Sequence, residues 1–235
     1  THRRVFGERA TARNKLELRQ FDIKTAFLHG ELEETVFMRP PPGLQLCAPG
    51  KVLRLHRALY GLRQAGNRWC KKLEGERLAR GFVQSDSDAA LWILHGEDES
   101  VLAMFYVHDG LVAARTAAEA DALVAMVGEM FEIRALGEPA DFLGIHVVRD
   151  RQAGTITIHQ SDKARALADV AGVRGLQRTT PMTPAVFAEL KAAARGEPLA
   201  DIDEYRSLVG SLQHLATCTR PDIQPAVGAL AAYVS

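Results

Sequence analysis

Residues 101–114 read Val101-Leu102-Ala103-Met104-Phe105-Tyr106-Val107-His108-Asp109-Gly110-Leu111-Val112-Ala113-Ala114. Two apolar runs of strand length flank an Asp-Gly pair, a strong short-range signature of a β-hairpin. Nearly every position in both runs is apolar, so the hairpin is expected to be buried, with Asp109-Gly110 at its turn. Just after it, Thr116-Ala117-Ala118-Glu119 has the spacing of a capping box, and Leu123, Val127 and Phe131 recur at helical intervals. A helix of about four turns should therefore follow the hairpin.

The flanks extend this pattern. Leu16-Glu17-Leu18-Arg19-Gln20-Phe21 alternates apolar and polar residues as a half-buried strand does, ending near Asp22. Residues 40–50 are too rich in Pro and Gly for a regular element; a short strand is expected at Val52-Leu53-Arg54-Leu55, then a basic helix over 66–80 carrying Trp69, Leu73 and Leu78 and stopping at Gly81. Residues 142–148 and 155–159 predict a second hairpin across Asp150–Gly154, with Ser161 capping a helix over 162–171. Pro181 and Pro184 interrupt the chain, and helices near 203–216 and 221–234 follow, the last with Pro221 in its first turn. Hairpins, and hence antiparallel strands, mixed with helices make an α+β chain the expectation.

Composition narrows the class. The chain has 235 residues, 47% hydrophobic and 25% charged, which excludes a disordered or fibrous protein. No apolar run approaches the ~20 residues of a membrane span. The first residues lack the apolar core of a secretory signal. Cys47, Cys70 and Cys218 never form a Cys-x-x-Cys spacing and read as free thiols in a reducing compartment. The expectation is an intracellular protein, in a cytoplasmic particle or the nucleus, with no membrane partner. Net charge is zero, yet residues 1–80 hold 17 Lys/Arg against 8 Asp/Glu, which makes the N-terminal third a candidate polyanion-facing surface.

Asp22 closes the first strand and Asp109 lies in the hairpin, 87 residues later. Nucleotidyl transfer needs carboxylates converging from different strands, because two Mg²⁺ ions ~3.5–4 Å apart are held by oxygen ligands. Asp is also simply a good turn residue, so spacing alone leaves both readings open.

The wording of the motifs goes further. Phe21-Asp-Ile-Lys-Thr-Ala-Phe-Leu-His-Gly30, with Glu31-Leu-Glu-Glu34 and Met38-Arg-Pro-Pro-Pro-Gly43, closely resembles the first palm motif of copia-type LTR-retrotransposon reverse transcriptases. Leu59-Tyr-Gly-Leu-Arg-Gln-Ala65 with Trp69 resembles their next block, Tyr106-Val-His-Asp109 their Tyr-Val-Asp-Asp hairpin, and Leu136-Gly-Glu with Phe142-Leu-Gly-Ile145 the segment after it. Tyr205-Arg-Ser-Leu-Val-Gly-Ser211 and Thr219-Arg-Pro-Asp-Ile223 resemble the family's C-terminal connection.

The resemblance implies a right-handed polymerase palm over 16–150, a mainly helical thumb or connection region over 151–235, and a fingers remnant at 1–15. It implies RNA-directed DNA synthesis from an RNA or DNA template with primer and deoxynucleoside triphosphates, in a copy cut from a longer polyprotein. Asp22 and Asp109 match metal-binding acids, for Mg²⁺ with Mn²⁺ as the alternative. Phe27 matches the bulky residue that rejects a 2′-hydroxyl, and Gln64 and Gly61 match the element packed on the incoming nucleotide and template. Lys24 is a candidate triphosphate contact, and Tyr106 belongs to the same substrate side. Phe142, Leu143 and Gly144 look like the turn that holds the primer. Arg54, Arg57, Arg63, Arg68 and Lys72, in a stretch with nine Lys/Arg against two Asp/Glu, would face nucleic-acid phosphates.

One letter departs from the family: His108 stands where the first Asp of Tyr-Val-Asp-Asp belongs. A neutral imidazole removes one negative charge and a bridging oxygen, so metal binding and polymerisation should both weaken. Two other readings stay open, a non-catalytic nucleic-acid-binding remnant and an unrelated α+β interaction domain.

Overall fold

The computed structural model describes residues 16–43, 48, 50–96, 100–173, 175, 178–193 and 202–234. The expected fingers remnant at 1–15 and Cys47 lie outside the described residues. The chain is α+β and divides into two compact units between Pro139 and Ala140. That division precedes the second hairpin, where the boundary was expected near residue 150. The chain from Ala140 is bonded forward: Val147 N–H donates to the Ala140 carbonyl at 2.8 Å, and Asp141-Phe142 pairs with the strand that follows.

The first unit contains, in chain order, β1 (Glu17–Ile23), a 3-10 turn (Ala26–His29), β2 (Glu31–Met38), β3 (Leu53–Arg57), helix α1 (Ala65–Ala79), β4 (Phe82–Ser85), β5 (Asp88–His95), β6 (Ser100–Tyr106), β7 (Asp109–Ala114), helix α2 (Ala117–Met130) and β8 (Ile133–Gly137). Six strands form one antiparallel sheet in the order β4-β5-β6-β7-β1-β8, and β2 and β3 form a separate pair.

Strand residues alternate between faces. Phe21 and Ile23 of β1, Ala103 and Phe105 of β6, and Val112 and Ala114 of β7 therefore share one face, and all are buried in a single core with Trp69 and Leu73 of α1 and Leu123, Val124 and Val127 of α2. Both bonds of the capping box at Thr116 are present, at 3.2 Å from Glu119 N–H to Thr116 Oγ1 and 2.9 Å from Thr116 N–H to Glu119 Oε2.

Three local expectations change, two of them in this unit. The hairpin turn is Val107-His108, not Asp109-Gly110, which open β7 and pair with Tyr106 and Phe105. Gly110 serves close approach instead, since a Cβ there would sit 2.0 Å from Phe21 Cζ. On α1, Leu78 is exposed, and its neighbour Arg77 is buried with its guanidinium 3.7 Å over the Trp92 ring. Burial pushes the Arg77 pKa down to about 10. A stacked, apolar-flanked guanidinium is worth more there than an aliphatic tip directed at water.

The second unit holds β9 (Asp141–Phe142), β10 (Ile145–Asp150), β11 (Thr155–His159), then helices α3 (Ser161–Val170), α4 (Pro184–Ala193), α5 (Ile202–Cys218) and α6 (Gln224–Ala231), the last preceded by a 3-10 turn at Pro221–Ile223. The strands pair antiparallel in the order β11-β10-β9. Ser161 is the first residue of α3, not its cap; its hydroxyl lies 3.1 Å from His159 Nδ1, and Gln160 occupies the cap position. Buried Gln160 ties the unit together, donating to the Gly144 carbonyl at 3.1 Å and accepting from Thr219 Oγ1 at 3.1 Å. Among the described residues no helix is long and apolar enough to cross a membrane. Cys70 and Cys218 are free thiols.

Candidate metal centre

Asp22 and Asp109 reach the same place because β1 and β7 are interior neighbours in unbroken antiparallel register, with Phe21 opposite Gly110 and Asp22 opposite Asp109. The alternation that sends Phe21 and Ile23 into the helix-backed core sends both acids to the opposite face. Directly opposed residues have Cβ atoms ~4.5–5.5 Å apart, and like charges so placed repel. A cation between them converts that repulsion into attraction.

His108 completes the group. Its Nε2 lies 3.9 Å from Asp22 Oδ1 and 3.8 Å from Asp109 Oδ2, and ligand atoms from all three residues lie within 4.8 Å of one another. The side chains are 34%, 46% and 25% exposed for Asp22, His108 and Asp109, so an ion can reach them from solvent.

The backbone under them is held hard. Val107 has φ 56°, a left-handed conformation that is costly for a β-branched residue, about 1–3 kcal/mol. Two bonds keep it there: Trp69 Nε1–H donates to the Val107 carbonyl at 2.7 Å, and Ile23 N–H donates to the His108 carbonyl at 2.7 Å. Trp69 is itself buried and packs edge-on against Phe131 with ring centroids 5.0 Å apart.

The donor set suits one divalent cation and does not suit a pair of Mg²⁺ ions. Mg²⁺ takes oxygen ligands in near-ideal octahedra, and two carboxylates carry too little charge and too few oxygens to bridge two dications.

Tyr106 and Arg134 stand in register with the acids, Tyr106 opposite Asp109 on β6 and Arg134 opposite Asp22 on β8, so one row of residues crosses four strands. Arg134 escaped sequence reasoning because 133–137 shows no alternation that marks a strand; only the register brings this exposed cation beside the acids.

The other candidate residues lie on several different elements. Lys24 is an exposed ion pair with Glu132, Nζ to Oε1 at 2.6 Å, and that hydrogen bond lowers the Glu132 pKa. Phe27, on the 3-10 turn, packs edge-on against Tyr60 with centroids 4.7 Å apart, and Tyr60 is itself largely exposed. Gly61 has φ 94°, and Gln64 occupies the N-cap position of α1 without a side-chain cap bond.

Arg54, Arg57 and Arg63 are exposed. Arg68 is paired with Glu33 and with Glu34, at 2.9 Å to the latter, and Lys72 with Glu76 at 2.8 Å, so these two cations already have carboxylate partners. The hydrogen bond from Arg68 holds the Glu33 carboxyl below its ordinary value; that of Glu34 is lowered first by its own backbone N–H, with Gln64 and Arg68 adding to it. Phe142, Leu143 and Gly144 belong to the second unit, where Phe142 is buried and Leu143 and Gly144 form the β9–β10 turn with φ 54° and 75°.

The sequence pattern of the family described as Reverse transcriptase (RNA-dependent DNA polymerase) matches residues 9–184. The chain is 35% identical over 221 residues to the Retrovirus-related Pol polyprotein from transposon RE1 of Arabidopsis thaliana, covering 92% of this chain and 14% of that protein. It is 28% identical over 228 residues to the corresponding polyprotein from transposon TNT 1-94 of Nicotiana tabacum, covering 93% of this chain and 17% of that one. It is also 27% identical over 214 residues to the Putative transposon Ty5-1 protein of Saccharomyces cerevisiae, covering 91% and 68%. The chain thus spans under a fifth of the two plant polyproteins. It belongs to the reverse transcriptase (RNA-dependent DNA polymerase) family, as a domain of the copia-type retrotransposon kind.

Proposed function

We propose that this chain descends from an RNA-directed DNA polymerase and is impaired at its metal centre by His108. The observation that carries the reading is the direct opposition of Asp22 and Asp109 on two adjacent interior strands, beside a histidine where the family has a third acid. In the family reaction a primer 3′-hydroxyl attacks the α-phosphorus of a deoxynucleoside triphosphate in line as the bond to the leaving pyrophosphate breaks; Asp22 and Asp109 would hold the divalent metal, which would supply positive charge for that transfer. The first unit then acts as the palm and the second as the thumb or connection. Phe27, backed by Tyr60, excludes a 2′-hydroxyl; Gly61, Gln64 and Tyr106 border the nucleotide; Phe142, Leu143 and Gly144 contact the primer. Lys24 reaches a triphosphate only by releasing Glu132. Mg²⁺, or Mn²⁺ in its place, binds weakly in this copy. Its partners are a primed template, deoxynucleoside triphosphates and the remainder of an intracellular polyprotein.

The test is primer extension in Mg²⁺ and in Mn²⁺ by the chain and by His108→Asp. Restoring the third carboxylate should raise extension by orders of magnitude, as expected where enzymatic accelerations of ~10⁶-fold or more rest on the metals. Measurable extension by the unaltered chain in Mg²⁺ at the rate of His108→Asp would falsify the impairment. A second reading, a non-catalytic nucleic-acid-binding module, is favoured by the exposed Arg54, Arg57 and Arg63 together with His108; salt-sensitive binding without extension by either chain supports it.

A further inference from the structure

We propose that Asp22, His108 and Asp109 form a single-ion site that selects a first-row transition dication, Zn²⁺ ahead of Mn²⁺, over Mg²⁺. The inference rests on reading Asp22 and Asp109 as metal ligands, and it takes the mismatch between this donor set and paired Mg²⁺ as its starting point.

Geometry comes first. Ligands ~2.0–2.2 Å from one tetrahedral Zn²⁺ lie about 3.3–3.6 Å apart. The three donors here fall within 4.8 Å, with the imidazole nitrogen at 3.9 and 3.8 Å from the two carboxylates. Side-chain rotations of three partly exposed residues bring these donors inward to that spacing around one ion. The backbone need not move, because Trp69 and Ile23 already hold the two turn carbonyls.

Chemistry and charge agree. Imidazole suits Zn²⁺ and ranks poorly for Mg²⁺, and at an N/O site affinity rises from Mn²⁺ to Zn²⁺. Two carboxylates neutralise one dication. A second dication would remain uncompensated, and Arg134 on the same row of the sheet adds another positive charge. Three protein ligands with an open fourth position is the arrangement of sites that also take water or a phosphate oxygen.

The experiment is calorimetric titration of the tag-free chain with Zn²⁺, Mn²⁺ and Mg²⁺, repeated on His108→Ala, His108→Asp and Asp22→Asn. The expected result is one Zn²⁺ class per chain, tighter than Mn²⁺ and far tighter than Mg²⁺. His108→Ala and Asp22→Asn should each weaken that class by at least the ~10–100-fold that loss of a mere outer-shell partner costs. His108→Asp should raise Mg²⁺ affinity and lower that for Zn²⁺. Cys218 Sγ lies 3.8 Å from His214 Nε2 and offers Zn²⁺ another foothold, so the class that counts is the one both substitutions remove.

Mn²⁺ broadening of backbone amide signals provides a readout that needs no variant. Broadening centred on residues 22–23 and 107–110 supports the site, and broadening centred elsewhere overturns it. Unchanged Zn²⁺ affinity in His108→Ala, or Mg²⁺ binding as tight as Zn²⁺, also overturns it. If His108→Asp stays inactive in primer extension while the titrations follow this pattern, the catalytic reading fails and the single-ion site stands.

Discussion

Replacing Gly110 by alanine puts a methyl carbon 2.0 Å from Phe21 Cζ, 2.2 Å from Cε2 and 2.5 Å from Cε1. Carbon atoms in contact sit ~3.5–4.0 Å apart, so the ring or the strand must retreat by roughly 1.5 Å. The ring has nowhere to go: Phe21 is fully buried and stands edge-on to Phe105 with centroids 5.7 Å apart. Overpacking of a tight core costs ~1–3 kcal/mol and occasionally more, and this site belongs at the upper end, about 3 kcal/mol. Urea unfolding followed by tryptophan fluorescence measures it locally, because Trp69 and Trp92 are the chain's two tryptophans and both are buried in the first unit. With an m-value of about 1–3 kcal/mol/M, the midpoint should fall by about 1–3 M. Phe21→Ala alone should cost ~3–5 kcal/mol through cavity formation. The double variant should cost clearly less than the sum, because the clash needs both groups. A Gly110→Ala midpoint equal to that of the unaltered chain, or additivity within ~0.5 kcal/mol, refutes the packing argument.

Trp69→Phe leaves the Val107 carbonyl without its indole donor, and a stability loss of about 1–3 kcal/mol should appear in urea unfolding read from Trp92. The lowered pKa values of Glu33 and Glu34 mean that the unfolded chain binds more protons than the folded one in the range just below the ordinary carboxylate value. Their contribution is therefore complete above that range and disappears as pH falls through the folded values. Arg68→Met should flatten this acid limb in a stability–pH series, and an unchanged limb counts against the pairing. Binding to primed duplex should weaken linearly in log–log salt plots, with Arg63→Ala reducing the slope by about one. Affinity that stays flat between low and moderate salt excludes a phosphate-facing surface.

Local patterns carried a definite share of this protein. The capping box at Thr116, the hairpin over 101–114, the helix ending before Gly81 and the hairpin across Asp150–Gly154 are all legible, because each rests on neighbours within a few residues. The motif wording also identified Asp22, His108 and Asp109 as a group. Strands β2, β4, β5 and β8 and helix α4 went unread: Glu31–Met38 is largely exposed and charged, and Ile133–Gly137 has a single partly buried residue, so neither shows the alternation that marks a half-buried strand. The turn moved to Val107-His108 because the Trp69 indole, 38 residues away, and the Phe21 ring, 89 residues away, dictate what each backbone position must accommodate.

The same holds for the cations: Lys24 and Arg68 read as phosphate contacts in isolation, yet Glu132, Glu33 and Glu34 lie against them. Hydrophobic period and capping are local and survive in the unfolded chain's sequence. Register, ion pairing and the meeting of Asp22 with Asp109 and Arg134 depend on which strands lie side by side, and only the closed sheet brings those distant residues within reach.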